Sequence, residues 1–193
     1  MARHKEFDEQ EVLGKAVELF WSQGFEATSI SDLERQLGLG RQSIYNAFGD
    51  KHQLYVKALE QYADRNFRLV QNVLHAPDAG MEAVRRYFEA LVAFLTPKGE
   101  RKACLLLNSS LERGSRDLDV TRACAKNQQA VISGFTNTLT NAVEKGELGS
   151  QIDIEATARM LMAQVYGLSV LAKSGASTRE LRQTADALLD RLV

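Results

Sequence analysis

The sequence predicts an all-α protein of about nine helices, and three observations lead to that prediction. Eight breaks rich in glycine or proline divide the chain into nine segments, and both residue types end helices. Within the segments, apolar residues recur every three or four positions, which places them on one face of a helix. No stretch alternates apolar and polar residues for long enough to predict a strand.

The nine segments differ in length, and this difference predicts two domains. The segments are expected near residues 8–23, 29–37, 41–48, 50–75, 79–95, 100–113, 116–145, 153–173 and 177–192. The first three segments are short and closely spaced, whereas the later segments are mostly longer. We therefore predict an N-terminal three-helix domain over residues 1–49 and a larger helical bundle over residues 50–193.

Composition excludes several classes of protein. With 45% hydrophobic and 25% charged residues, the chain has the proportions of a soluble globular protein. No apolar run approaches the roughly 18 residues of a membrane helix, and the first residues lack an apolar signal core. We therefore expect a cytoplasmic protein with no membrane partner. Two cysteines and three histidines, together with the absence of a phosphate-binding glycine loop, predict no enzyme, no cofactor and no metal site.

The second and third segments have the spacing of a helix-turn-helix motif. Ser29 is followed three residues later by Asp32, which predicts a capping box at the start of the second helix. Gly38 is expected to end that helix. Ile44 and Phe48 lie four residues apart, so one face of the third helix is expected to pack inward.

The opposite face of the third helix carries side chains that suit DNA. Its polar residues are Arg41, Gln42, Ser43 and Asn46, with Tyr45 on the flank. Glutamine and asparagine pair with adenine in the major groove, and arginine prefers guanine or phosphate. Lys51 opens the fourth segment, where free backbone N–H groups also favour an anion. The pattern predicts base contacts from the third helix and a backbone contact from Lys51.

Charge around this motif is local rather than general. Residues 1–60 hold seven Lys/Arg and ten Asp/Glu, whereas residues 35–57 hold four Lys/Arg and a single acid, Asp50. Phosphate binding depends on local placement of cations, so this segment remains compatible with DNA. On pattern alone, two packed helices with a solvated polar face are an equally simple interpretation.

Five motifs that occur in order decide between these interpretations. They are Ala16-x-x-Leu19-Phe20, Gly24-Phe25-Glu26-Ala27-Thr28-Ser29-Ile30, Leu37-Gly38-Leu39-Gly40, Ile44-Tyr45-x-x-Phe48 and Lys51-x-x-Leu54. With them, residues 8–55 resemble the DNA-binding domain of the tetracycline-repressor (TetR) family of bacterial transcription regulators. Two positions depart from that family: Gly40 stands where a serine or threonine cap is common, and Asn46 where histidine is common.

The resemblance implies a nine-helix homodimer that represses transcription from a palindromic double-stranded operator. A small-molecule effector would bind the C-terminal domain and release the DNA. By position, the DNA-contacting roles fall on Arg41, Gln42, Ser43, Tyr45, Asn46 and Lys51, with Thr28 or Ser29 on a phosphate. The glycine at position 40 is expected to weaken the cap of the third helix slightly.

The later segments supply candidates for the effector pocket and the dimer interface. Candidate effector contacts are the aromatic, sulfur and polar side chains Phe88, Cys104, Asn108, Phe135, Met162 and Tyr166. The eighth segment carries two apolar stripes, more than one buried face requires. We therefore expect segments eight and nine to form a four-helix bundle between two chains, through Leu161, Val165, Leu168, Leu181 and Leu188.

The sequence is also compatible with two alternative functions. Cys104 follows Arg101 and Lys102 near the start of the sixth segment, where a helix N-terminus and cations would stabilise a thiolate, so the protein could sense electrophiles or oxidants. The competing interpretation is a buried, unreactive thiol beside Leu105, Leu106 and Leu107. A helical adaptor that binds only protein is the alternative from another class.

Overall fold

The computed structural model describes residues 7–97 and 103–192. These residues form nine α-helices and no strand: α1 Glu9–Gln23, α2 Ile30–Leu37, α3 Arg41–Phe48, α4 Lys51–Leu74, α5 Met81–Leu95, α6 Leu105–Arg113, α7 Leu118–Glu144, α8 Ile154–Lys173 and α9 Thr178–Leu189. The all-α prediction is confirmed for the described part of the chain. Among these helices, none has the length and hydrophobicity to cross a membrane.

Side-chain hydrogen bonds cap the N-termini of six helices, α1, α2, α4, α7, α8 and α9. At α2, the Ser29 hydroxyl accepts the backbone N–H of Asp32 at 3.1 Å, and the Asp32 carboxylate accepts the backbone N–H of Ser29 at 3.0 Å. Ser177 and Glu180 form the same capping box at α9. Gly38 takes the left-handed conformation, with φ at 68°, and ends α2. These local signals explain why both ends of α2 were predictable from sequence.

Two apolar cores hold the molecule together. The first joins α1, α2, α3 and the first half of α4 around Phe20, Leu33 and Phe48, and it continues into Leu105 and Val120 of α6 and α7. The second lies among α5, α7, α8, α9 and the end of α4. Because the first core uses side chains from beyond residue 50, the three-helix unit is anchored on the larger bundle. The proposed boundary between residues 49 and 50 stays a prediction.

The five apolar side chains predicted for the dimer interface belong to the chain's own core. Leu161, Val165, Leu168 and Leu181 are buried among the helices of a single chain, and Leu188 is half-buried against the same core. A side chain with no accessible surface in one chain cannot contact a partner. The structure therefore does not support an interface role for Leu161, Leu168 and Leu181, whereas Val165 and Leu188 keep some exposed surface and stay predictions. Helix α8 does carry a second apolar face.

That second face of α8 lies on the surface. Met160, Val170 and Leu171 are 41%, 48% and 42% exposed, and Ala163 and Gly167 between them are also exposed. These five residues, spaced by three or four positions, form one stripe along the helix, and we call it the α8 stripe. Exposed apolar stripes of this kind commonly mark contacts with another protein surface.

Candidate nucleic-acid interface and effector cavity

The turn between α2 and α3 is built so that α3 projects from the domain. Ile44 and Phe48 of α3 are buried in the first core, and Leu39 in the turn is half-buried. Gly40 is the N-cap of α3 and offers no side-chain hydrogen bond. Instead, the Glu34 carboxylate of α2 accepts the backbone N–H of Arg41 at 2.7 Å. A side chain from the preceding helix thus replaces the missing cap that the sequence predicted.

The outward face of α3 presents the predicted residues together. Arg41, Gln42, Ser43 and Asn46 are exposed, and Tyr45 is half-buried on the flank. The Gln42 side-chain amide N–H donates to Asn46 Oδ1 at 2.9 Å. Arg41 Nε–H donates to the Tyr45 hydroxyl at 3.3 Å, and this hydrogen bond raises the pKa of the Arg41 guanidinium. The face therefore consists of two pairs of side chains, each joined one turn apart.

Lys51 lies beside this face at the first position of α4. Its Nζ sits 4.3 Å from the centroid of the Phe25 ring, and the residue is half-buried. The Asp50 carboxylate caps the same helix by accepting the backbone N–H of Gln53 at 2.8 Å. Contact with the aromatic ring limits where the ammonium group can point, so its charge is held next to the N-terminus of α4.

Thr28 and Ser29 occupy different environments. Thr28 has no exposed surface, and its hydroxyl donates to the Gly24 carbonyl at 2.6 Å. Its side chain is therefore unavailable to a phosphate, so its predicted phosphate contact is not supported. Ser29 is exposed, although its hydroxyl also donates to Asp32 Oδ2 at 2.5 Å in the capping box. Of the two, only Ser29 stays a candidate contact.

The larger helical bundle contains an apolar cavity of about 240 Å³ between α4, α5, α7 and α8. Of the predicted effector contacts, Cys104, Met162 and Tyr166 line it. Val165, predicted for the dimer interface, also lines the cavity, and the other lining residues are Tyr62, Arg65, Asn66, Leu69, Tyr87, Leu91, Phe94, Asn127 and Val131. Several of them come from α4, where Tyr62, Asn66 and Leu69 follow helical spacing. This mixed polar and apolar face of α4 was the sequence signal that could have predicted a cavity wall.

Three predicted effector contacts lie elsewhere. Phe88 and Phe135 are buried in the second core and stack on each other, with ring centroids 5.9 Å apart. Asn108 lies in a separate surface cleft, where its Oδ1 accepts the Lys173 ammonium at 3.2 Å. None of the three therefore lines this cavity. Helical periodicity identifies inward faces without distinguishing packed core from the wall of a void.

The thiol-sensor alternative is not favoured. Cys104 is the N-cap of α6 and is buried, and this burial raises the pKa of its thiol. Arg101 and Lys102, the cations on which the alternative depended, lie outside the described residues. Burial also raises the pKa of Cys124 to about 11, and its Sγ–H donates to the Leu106 carbonyl at 3.2 Å. The raised pKa values favour the protonated, less nucleophilic form of both thiols near neutral pH.

One contact between the two halves is centred on Glu112 of α6. Its carboxylate accepts the backbone N–H groups of Phe25 at 3.1 Å and Glu26 at 2.9 Å, in the turn that precedes α2. Arg113 follows it, with its guanidinium carbon 4.2 Å from the Phe25 ring centroid and an ion pair to Glu26. The end of α6 is thus fastened to the domain that carries α3.

Asp117 extends this contact to the start of α4. Burial raises the pKa of its carboxyl, but the Val120 N–H, Arg113 and His52 outweigh that effect and hold the pKa below its usual value. His52 Nε2 lies 2.9 Å and Arg113 Nε 3.0 Å from Asp117 Oδ2. Asp119 joins His52 and Asp117 in a group that resembles a metal site. Because Arg113 already neutralises Asp117, we interpret the group as a polar network around this ion pair, which Arg113 extends to Glu26 of the three-helix unit.

A third contact joins α1 directly to the cavity. Trp21 donates its Nε1–H to the Ala103 carbonyl at 2.5 Å. Its ring packs edge-on against Tyr62, with centroids 5.2 Å apart, and stacks on Phe94 at 5.5 Å. Tyr62 and Phe94 both line the cavity. Trp21 therefore connects the cavity wall directly to α1, so a displacement of Tyr62 or Phe94 would be transmitted to the three-helix unit.

Comparison with known proteins matches both halves to one family. The family model described as bacterial regulatory proteins, tetR family, matches residues 12–58. A second, described as tetracyclin repressor-like, C-terminal domain, matches residues 80–188. The uncharacterized HTH-type transcriptional regulator YezE of Bacillus subtilis (strain 168) is 35% identical over 193 residues, which is 100% of both chains.

Two further proteins are similar over nearly the whole chain. The HTH-type transcriptional repressor ComR of Escherichia coli (strain K12) is 28% identical over 188 residues, covering 97% of this chain and 90% of ComR. A cysteine mutant of the TetR family transcriptional regulator CifR, solved in complex with a 26-base-pair double-strand operator DNA, superposes with a TM-score of 0.86. It is 28% identical, with 97% of this chain and 98% of that chain covered.

Proposed function

The chain belongs to the tetR family of bacterial regulatory proteins, and from this premise we propose that it is a transcriptional repressor that binds double-stranded operator DNA through α3. The outward face of α3 carries the proposal: Arg41, Gln42, Ser43 and Asn46 are exposed together on a helix whose other face is locked in the core. The CifR complex with operator DNA supports this docking, because its fold is the same. Such a repressor acts on chromosomal DNA, so we place it in the cytoplasm.

We further propose that the protein works as a homodimer. Helix-turn-helix dimers read two half-sites about 34–36 Å apart, and the operator repeats mirror the two-fold axis of the protein. The α8 stripe is the surface that we assign to this contact, in place of the buried leucines predicted from sequence. Gly167 lies in the middle of the stripe, and a Cβ atom added there would meet no atom within 4 Å. A glycine in this position lets a partner helix approach closely.

The apolar cavity is the proposed site of the small-molecule effector. It lies next to Tyr62 and Phe94, which contact Trp21 of α1, and next to Cys104 at the start of α6. The far end of α6 carries the Glu112 contact to the three-helix unit. Effector binding is expected to displace these walls and thereby change the spacing of the two α3 helices in the dimer.

A gel-shift selection on genomic fragments tests the function. The protein is expected to retain a small set of fragments at physiological salt, each with an inverted repeat, and to hold them roughly 10³-fold or more tightly than unrelated DNA. Retention of all fragments with equal, salt-sensitive affinity, or of none, would contradict the proposal. The second result would favour the helical adaptor.

A further inference from the structure

The cavity in the regulatory half has a closed apolar end and a polar mouth. We take the buried lining residues as the closed end; they are Tyr62, Tyr87, Leu91, Cys104, Val131, Met162 and Val165. The residues at the mouth are the exposed Arg65 and Leu69 and the half-buried Asn66, Asn127 and Tyr166. Among the described lining residues, Arg65 is the one with a charged side chain, and it is exposed to solvent.

Tyr62 carries the polar atom that is least satisfied in this cavity. The residue is 4% exposed, and its buried hydroxyl makes no hydrogen bond of full geometry, although the Cys104 thiol, the Leu105 N–H and the Asn66 side chain all lie near it. Burial, together with the nearby Cys104 thiol, holds the pKa of the phenol well above its usual value, and Leu105 N–H and Asn66 only partly oppose this. The hydroxyl is therefore a protonated donor. A buried donor without an acceptor is costly, and a ligand that supplies one removes that cost.

The size and charge of the cavity limit what can fill it. At the packing density of protein interiors, a volume of 240 Å³ holds roughly ten non-hydrogen atoms. An ionised group at the closed end would lose its hydration without gaining a counter-ion, since the lining there is apolar or phenolic. A neutral hydrogen-bond acceptor avoids this cost, because it carries no charge that needs a counter-ion.

We propose that the effector is an uncharged, mainly apolar molecule of about ten non-hydrogen atoms that bears a carbonyl or equivalent acceptor, and that the Tyr62 hydroxyl donates a hydrogen bond to it. Binding is non-covalent. This inference rests on the proposed role of the cavity as the effector site. A ligand that enters in this way presses on Tyr62, whose ring contacts Trp21 of α1.

Three probes of similar size test the proposed chemistry by calorimetric titration of the full chain without DNA. Acetophenone carries the acceptor, ethylbenzene keeps the shape without it, and benzoate adds a negative charge. The wild-type protein is expected to bind acetophenone about tenfold more tightly than ethylbenzene, the usual effect of one neutral hydrogen bond, and benzoate most weakly. Tyr62→Phe should reduce that ratio to about one and leave the affinity for ethylbenzene unchanged.

Tyr62→Phe is expected to fold normally, because it removes a buried hydroxyl that makes no hydrogen bond of full geometry, so its melting temperature without ligand should not fall. Tyr55→Phe is the matched control. The Tyr55 hydroxyl donates to Ser109 at 2.7 Å outside the cavity lining, so this variant should keep the tenfold ratio.

Four results would overturn the proposal. They are tightest binding of benzoate, a ratio near one in the wild-type protein, a ratio that survives Tyr62→Phe, and no binding of any probe. Because the titration contains no DNA, each of them leaves the gel-shift test of operator binding unaffected. A protein that binds acetophenone as expected but retains no DNA fragment would instead contradict the proposed function alone.

Discussion

The pair Gln42 and Asn46 presents one composite surface to DNA. Since the Gln42 amide N–H donates to Asn46 Oδ1, the atoms left to face a base are Gln42 Oε1 and Asn46 Nδ2. The first accepts and the second donates, which is the complement of the N6 donor and N7 acceptor of adenine in the major groove. Each side chain thus fixes the orientation of the other before DNA arrives.

The two residues are therefore expected to act as a unit. Gln42→Ala and Asn46→Ala should each cost roughly 1–3 kcal/mol on the operator, and the double variant should cost less than the sum, because either substitution alone also frees the other amide. Fluorescence anisotropy with the operator and single-base variants measures both effects. Strict additivity would show that the two side chains read separate bases.

Lys51→Ala serves as the contrasting variant in the same titrations. Lys51 is assigned to the backbone, so its loss should weaken binding to every sequence alike and lower the slope against log salt concentration by about 1. Base preference should stay as in the wild-type protein. A changed preference at one base position would move Lys51 into the group of base-reading residues.

At the scale of single helices, α3 depends on α2 for its start. Gly40 brings no side-chain cap, and the Glu34 carboxylate accepts the first N–H of α3. Glu34→Ala should destabilise the protein by about 1 kcal/mol, the usual cost of losing a cap. Urea unfolding at constant m-value measures the loss.

A second substitution tests whether capping is the cause. Gly40 has φ −68° and ψ 153°, and a Cβ there would meet no atom within 4 Å, so serine fits without strain. In the Glu34→Ala background, Gly40→Ser should restore most of the lost stability by supplying its own hydroxyl cap. If stability stays low, Glu34 contributes through other contacts.

Helix boundaries were predictable where a local signal sets them. Ser29 with Asp32, and the left-handed Gly38, are encoded within a few residues of the boundary they fix. The start of α6 is different. The sequence predicted a helix from residue 100, whereas Ala103 and Cys104 precede the first turn, and the Ala103 carbonyl accepts Trp21 Nε1–H. A contact between positions 82 residues apart leaves no trace in local periodicity.

At the scale of the whole molecule, the fold followed from sequence but the surfaces of the bundle did not. The stripe through Leu161 and Leu168 and the one through Met160 and Val170 both follow helical spacing, yet the first lies in the chain's own core and the second on the surface. Periodicity shows that α8 is apolar on two sides. Which side meets its own chain depends on how α5, α7 and α9 pack around it.

The exposed stripe yields a prediction that separates assembly from folding. Gly167→Glu places a charge at the centre of the α8 stripe, where an added Cβ meets no atom of its own chain. In a dimer the two copies would bring like charges into a desolvated seam, at a cost of several kcal/mol. The variant should be monomeric by light scattering and folded by circular dichroism. It should bind the operator far more weakly, because two half-sites require the two DNA-binding domains of a dimer.

Gly14→Glu is the matched control, since Gly14 also lies inside a helix and its added Cβ also meets no atom within 4 Å. This variant should remain dimeric. Leu168→Glu provides the opposite contrast: it places an unpaired charge in the chain's own core and should unfold the protein rather than dissociate it. A dimeric Gly167→Glu protein would mean that the two chains meet through another surface, and that the α8 stripe faces something else.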